Sequence, residues 1–224
     1  MLSAFIQTIY FICLIEAYRV GDLSIVYPIS RSAPFFTLIW AVLLIGETLS
    51  VTGTIGIGLV MVGIFVISLR DFHLRSIIQP SKHFTSRAYL LASISAMTGS
   101  IYSVIDKVGI QLIHPAIYTW LIDLWMCVYI GLYLLFRKAG SFRNIWQESK
   151  KKILAIVILQ NVAYLLILFA LQMSKVSYVV AFRQVGALFG AGMGILLLKE
   201  SHWQTRLAGA LILTLGLVLI GLAK

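Results

Sequence analysis

The sequence predicts an all-α polytopic membrane protein of about eight transmembrane helices, an inverted five-helix-repeat bundle lacking the first two of ten helices. Composition is the first reason. Of 224 residues, 60% are hydrophobic and 12% charged, whereas a soluble domain is about half apolar and about a quarter charged. Spacing is the second: eight apolar segments can be drawn, at 2–18, 24–45, 50–69, 88–108, 116–136, 153–172, 176–198 and 206–223. Each is near the roughly 20 residues that a helix needs to cross a bilayer. The third is that the chain resembles itself at an offset of 153 residues, the interval from Glu47 to Glu200.

Met1 leads directly into segment one without a basic region or a small-residue cleavage site, so this segment reads as a spanning helix and not a cleavable signal. Segment two lies in Gly21–Glu47, which carries Arg31, Pro28 and Pro34 inside an apolar run. A charge at membrane depth is costly unless it faces protein or water, and each proline frees a backbone carbonyl. The stretch therefore reads as a broken helix lining a polar path, or as a kinked structural helix whose arginine snorkels to the surface. Gly21 permits the turn that opens it, and Asp22 is placed to cap the next free amides or to touch a substrate. Gly46 and Glu47 close it.

Segment three leads to the basic loop Arg70–Arg87, and segment four ends at Asp106-Lys107, which reads as an interfacial pair. Segment five carries Asp123 well inside, the best candidate for a titrating carboxylate. After the second basic loop, Arg137–Lys152, segment six carries Gln160 and Tyr164. Segment seven carries Arg183, Gln184 and the ridge Gly186, Gly190 and Gly194, a spacing that lets another helix approach closely. Gly56 and Gly63 in segment three, and Gly209 and Gly216 in segment eight, have the same use.

The offset superposes Gln7 on Gln160, Ser24 on Ser177, Glu47 on Glu200, Thr52 on Thr205, Gly56 on Gly209 and Gly63 on Gly216 without a gap. Apolar matches are cheap in such a composition, but this series is not. It moves segments one, two and three onto six, seven and eight, an odd number of crossings, so the two copies run in opposite senses. The chain then divides into 1–72, the last three helices of a first repeat; 73–87, a basic linker; and 88–224, a complete second repeat. Eight helices in place of ten fit a fragment, a misassigned start or a natural short form. Thirteen basic residues, from Arg19 to Arg206, fall on one side, against Lys107, Lys175 and Lys224 on the other. The positive-inside rule places the basic loops in the cytoplasm and the C-terminus outward.

The formal charge of +10 resides in these short loops and does not point to nucleic acid. Cys13 and Cys127 lie in apolar segments with no metal-ligand spacing, no phosphate-binding or dinucleotide motif is present, and no cofactor or metal is expected. No nucleophile–base set appears, so an enzyme is not predicted. The residues suited to line a cavity are Gln7, Tyr27, Arg31, Gln160, Tyr164, Arg183 and Gln184. Arg31 and Arg183 are suited to bidentate recognition of carboxylate or phosphate. Ion pairing with Asp123 or Glu16, or bonds to carbonyls freed by the prolines, accounts for them equally well. Glu47 and Glu200 read as architectural groups that bind backbone amides or the start of the following helix, with proton coupling as the alternative. Tyr18 and Tyr178 read as belt residues.

The run GDLSIVYPISRSAPFFTLIWAVLLIGETLSVTGTIGIGLVMVGIFVI is echoed by YVVAFRQVGALFGAGMGILLLKESHWQTRLAGALILTLGLVLIGL. It resembles the EamA-type repeat of the drug/metabolite transporter superfamily through its GD–YP–R–P–GE series and the glycine helix that follows. The resemblance implies ten helices in two inverted repeats around a central cavity, in a bacterial inner membrane. It also implies a secondary transporter, often an exporter of amino acids or related compounds, with a small-molecule substrate and a coupling proton or other ion. Val180, Ala181, Gln184 and Ala187 replace the YP–R–P positions in the second copy. A partner subunit or incomplete product that does not itself transport is the alternative.

Overall fold

The computed structural model describes residues 1–69, 86–136, 142–196 and 203–223. All regular structure among them is α-helical: α1 (Leu2–Val20), α2 (Leu23–Ser30), α3 (Ala33–Ile45), α4 (Val51–Ser68), α5 (Ser86–Leu112), α6 (Pro115–Phe136), α7 (Phe142–Met173), α8 (Val176–Phe182), α9 (Val185–Leu196) and α10 (Trp203–Leu222). Eight stretches of the described residues are long and apolar enough to span a bilayer, one of them running from α2 into α3 and another from α8 into α9. The chain is a multi-pass membrane protein. Helix ends keep the sequence offset: α7 ends at Met173 and α8 begins at Val176, each 153 residues after Val20 and Leu23.

Local chemistry sets several boundaries. Pro28 lies inside α2, but Pro34 stands in the first turn of α3, where its missing N–H has no intrahelical partner to lose. It starts a new helix instead of kinking an old one. Gly46 ends α3 with φ of 65°, a left-handed conformation that costs glycine little, and the Glu47 N–H reaches back to the Ala41 carbonyl at 3.1 Å. Gly21 needs its lack of a side chain for another reason than the turn expected from sequence. Its φ of −121° is open to any residue, but a Cβ would stand 2.6 Å from that of Ala88 and 2.5 Å from Val26 Cγ2. Asp22 directly precedes α2, and its carbonyl accepts from Val26 N–H at 2.9 Å. Ser50 caps α4 by accepting from Gly53 N–H at 3.2 Å.

Lipid gives no hydrophobic drive between helices, so close packing holds them together. The most extensive pair is α4 with α10. A Cβ on Gly56 would be 2.8 Å from the Gly216 carbonyl, and one on Gly63 2.6 Å from Leu213 N. One on Gly209 would be 2.8 Å from the Gly63 carbonyl, and one on Gly216 2.7 Å from the Gly56 carbonyl. Contacts that ascend one helix descend the other, so the pair is antiparallel and reciprocal. The ridge on segment seven is different: nothing lies within 4 Å of a Cβ at Gly186 or Gly190, and the surroundings of Gly194 lie outside what is described. The second large pair, α1 with α5, closes over Ala17, Ala88 and Ala92.

Candidate functional site

Helices α2 and α3 part at Arg31 and Ser32, and α8 and α9 part at Arg183 and Gln184. The breaks meet, since Gln184 Nε2 donates to the Arg31 carbonyl at 3.5 Å across an interval of 153 residues. A break leaves carbonyls without intrahelical partners, which is why an amide side chain can reach one. Gln184 is buried, and its Oε1 has no partner among the described residues. Tyr27 places its ring 5.4 Å from the Arg31 guanidinium, a cation–π arrangement. Arg183 Nη2 donates to Tyr102 OH at 3.3 Å, and Tyr102 stands edge-on to Tyr10 at 5.5 Å.

Neither arginine forms an ion pair among the described residues. Glu16 pairs with Arg19 at 3.7 Å instead, and Asp123 sits on an exposed part of α6. The ion pairs weighed from sequence are therefore not made, and neither guanidinium lies within ion-pair distance of a carboxylate among the described residues. The structure brings Tyr27, Arg31, Arg183 and Gln184 together. Gln160 is exposed on α7, apart from them, as is Asp123 on α6. Glu200 lies outside the described residues.

Gln7 and Tyr164 belong to a second cluster, centred on a residue that sequence reasoning placed elsewhere. Asp106 is 1% exposed. Its Oδ1 accepts from Ser3 Oγ, and from Tyr118 OH at 2.9 Å. Its Oδ2 accepts from Tyr164 OH at 2.8 Å and Gln7 Nε2 at 3.3 Å, and Gln7 also donates to Tyr164 OH at 2.7 Å. The expected interfacial pair with Lys107 is not formed. Lys107 Nζ turns to the carbonyls of Leu171 and Ser174, at 2.5 and 2.9 Å. The cause is that α5 runs on to Leu112, beyond the expected end at 108, so Asp106 is interior. A signal was present: Ser95, Gly99, Ser103 and Asp106 recur at helical spacing, and all four are buried.

The third feature joins the two halves of the chain. Glu47 accepts from Val176 N–H at 2.6 Å, Ser177 N–H at 3.4 Å and Ser177 Oγ at 3.0 Å, so it caps α8. Backbone amides, or the start of the following helix, were expected; the amides bound are those of α8, and Ser50 caps the following helix. Lys175 Nζ donates to the Thr48 carbonyl at 2.6 Å. Tyr178 is buried, its OH accepting from Ser50 N–H at 3.2 Å, and is not a belt residue. Tyr18 lies 3.4 Å from Ser30 Oγ, between α1 and the end of α2.

The model of the EamA-like transporter family matches residues 1–69 and 86–222. No curated protein matches the chain.

Proposed function

The chain belongs to the EamA-like transporter family of the drug/metabolite transporter superfamily, and on that premise we propose that it is a secondary transporter exporting a small metabolite by alternating access. The substrate is an amino acid or a related polar or anionic compound, and the membrane is the bacterial inner membrane. The observation that carries this reading is the facing pair of helix breaks, with two guanidiniums beside Tyr27 and Tyr102 that pair with no carboxylate among the described residues. Arg31 anchors the anionic group of the substrate, and Gln184 Oε1 accepts from a donor on it. Orientation follows the charges: basic loops inside, with Lys107 and Lys175 at the outer face.

Proteoliposomes holding this chain and challenged with a labelled metabolite panel test the proposal directly. Arg31→Ala removes a charge-assisted bond of about 1.5–3 kcal/mol, so uptake falls about tenfold to a hundredfold with expression intact. Equal activity in the mutant removes the anchoring role. A second reading, in which the chain works as a subunit beside other helices, is favoured by the exposed Gln160 of α7, a polar group left in a spanning stretch. A single-chain mass in detergent together with transport by that species would exclude it.

A further inference from the structure

We infer that Asp106 is a proton-binding site, and that its protonation is where a proton gradient acts on the transport proposed above, a reading on which the coupling part of this inference rests.

The carboxyl group is enclosed by three helices besides its own, and all four of its bonds come from neutral donors: Ser3 and Gln7 on α1, Tyr118 on α6 and Tyr164 on α7. It makes no ion pair among the described residues. A buried charge without a counterion is expensive even when its hydrogen bonds are satisfied, so the neutral acid is an accessible alternative. Three of the donors are hydroxyls, which donate to the carboxylate and, on rotation, accept from the acid. The same cluster therefore satisfies both forms. The step is simple: a proton adds to one Oδ, that oxygen becomes a donor, and one hydroxyl turns from donor to acceptor.

The surrounding charged and titratable groups do not take this role from Asp106. On α5, Tyr102 holds Arg183, and Lys107 is committed to carbonyls. On α1, Tyr10 meets Tyr102 and Phe11, Cys13 is a buried thiol, Tyr18 faces Ser30, and Glu16 is paired with Arg19. From the α2–α3 break come Tyr27 and Arg31, which stack on each other. Asp123 and Cys127 of α6 are exposed, and His114 before it packs on Phe169. Helix α3 offers no titratable side chain, and α8 offers Tyr178, bound to Ser50.

The position also suits coupling. Tyr102 precedes Asp106 by one turn of α5, about 6 Å along the axis, and it holds Arg183 at the helix break. A change of charge at Asp106 is felt there through low-dielectric surroundings. In its charged form Asp106 also ties α1 to α6 and α7, and protonation exchanges strong charge-assisted bonds for weaker neutral ones.

Infrared difference spectroscopy of the protein in liposomes, stepped in pH, tests the site without any substrate. The expected result is a protonated-carboxyl C=O band that comes and goes with pH, is lost in Asp106→Asn, and survives in Asp123→Asn. A pH-dependent band unchanged by Asp106→Asn, or no such band at any pH where the protein is folded, overturns the proposal. Should Asp106→Asn fail to fold, Tyr164→Phe must still shift the band, because one hydrogen bond to the group is gone; an unmoved band overturns the assignment. For coupling, Asp106→Asn keeps counterflow of whichever panel compound the wild type carries but loses its accumulation under an imposed pH gradient. Retained accumulation overturns the coupling role. If the wild type carries no panel compound, the transport reading fails, while the infrared result still decides the site.

Discussion

Glu47 shows how one carboxylate sets the relation between two distant segments. A helix N-terminus offers free amides and a partial positive charge, and Glu47 meets both at α8. Glu47→Gln keeps the shape but loses the charge, which weakens these bonds by about 1–2 kcal/mol. The expected outcome is a lower thermal unfolding temperature in detergent; an unchanged one means the amides find water or another partner. That Glu47 binds amides was legible in the sequence, because it repeats at Glu200 and follows a helix-ending glycine. Which amides it binds was not, since the choice depends on packing between segments 129 and 130 residues apart. Asp106 was misplaced for a related reason. An Asp-Lys pair near an estimated helix end looks interfacial and outweighed the small-residue spacing above it, whereas the longer α5 and the tyrosines of α6 and α7 show that the acid turns inward while the lysine turns away.

Among the elements, α4 and α10 carry the tightest constraint. Their glycines let backbone approach backbone, and a side chain there has no flexible neighbour to push aside. Gly63→Leu is therefore expected to separate the pair and abolish the monodisperse folded protein on size-exclusion chromatography. Gly186→Leu, on the open ridge of α9, leaves the profile unchanged. If both variants behave alike, the contact between α4 and α10 does not hold the bundle. The spacing of these glycines was readable from sequence for both ridges, but spacing alone does not say which ridge has a neighbour. The broken helices divide in the same way. Arg31, Pro28 and Pro34 announced the first break, while the second has no proline and was legible only through its equivalence to the first.

At the scale of the whole molecule, the contacts between the N-terminal helices α1–α4 and the C-terminal helices α7–α10 are of two kinds. The reciprocal α4–α10 seam and the meeting of Arg31 with Gln184 join segments related by the 153-residue sequence offset, the first through close backbone approach and the second through a side chain reaching a backbone carbonyl. The bond of Glu47 to the start of α8 joins helix ends at one face of the bundle, together with Lys175 to Thr48 and Tyr178 to Ser50. If that face opens in the transport cycle, these bonds must break there while the central seam stays closed. Cysteines placed at Glu47 and Ser177, in a chain whose own Cys13 and Cys127 are replaced, provide the check. Bridging them with a short bifunctional thiol reagent that reductant can cleave is expected to stop net transport in proteoliposomes, and cleavage to restore it. Unimpeded transport by the bridged protein would mean that this face never parts, and the alternating motion would have to be sought elsewhere in the bundle.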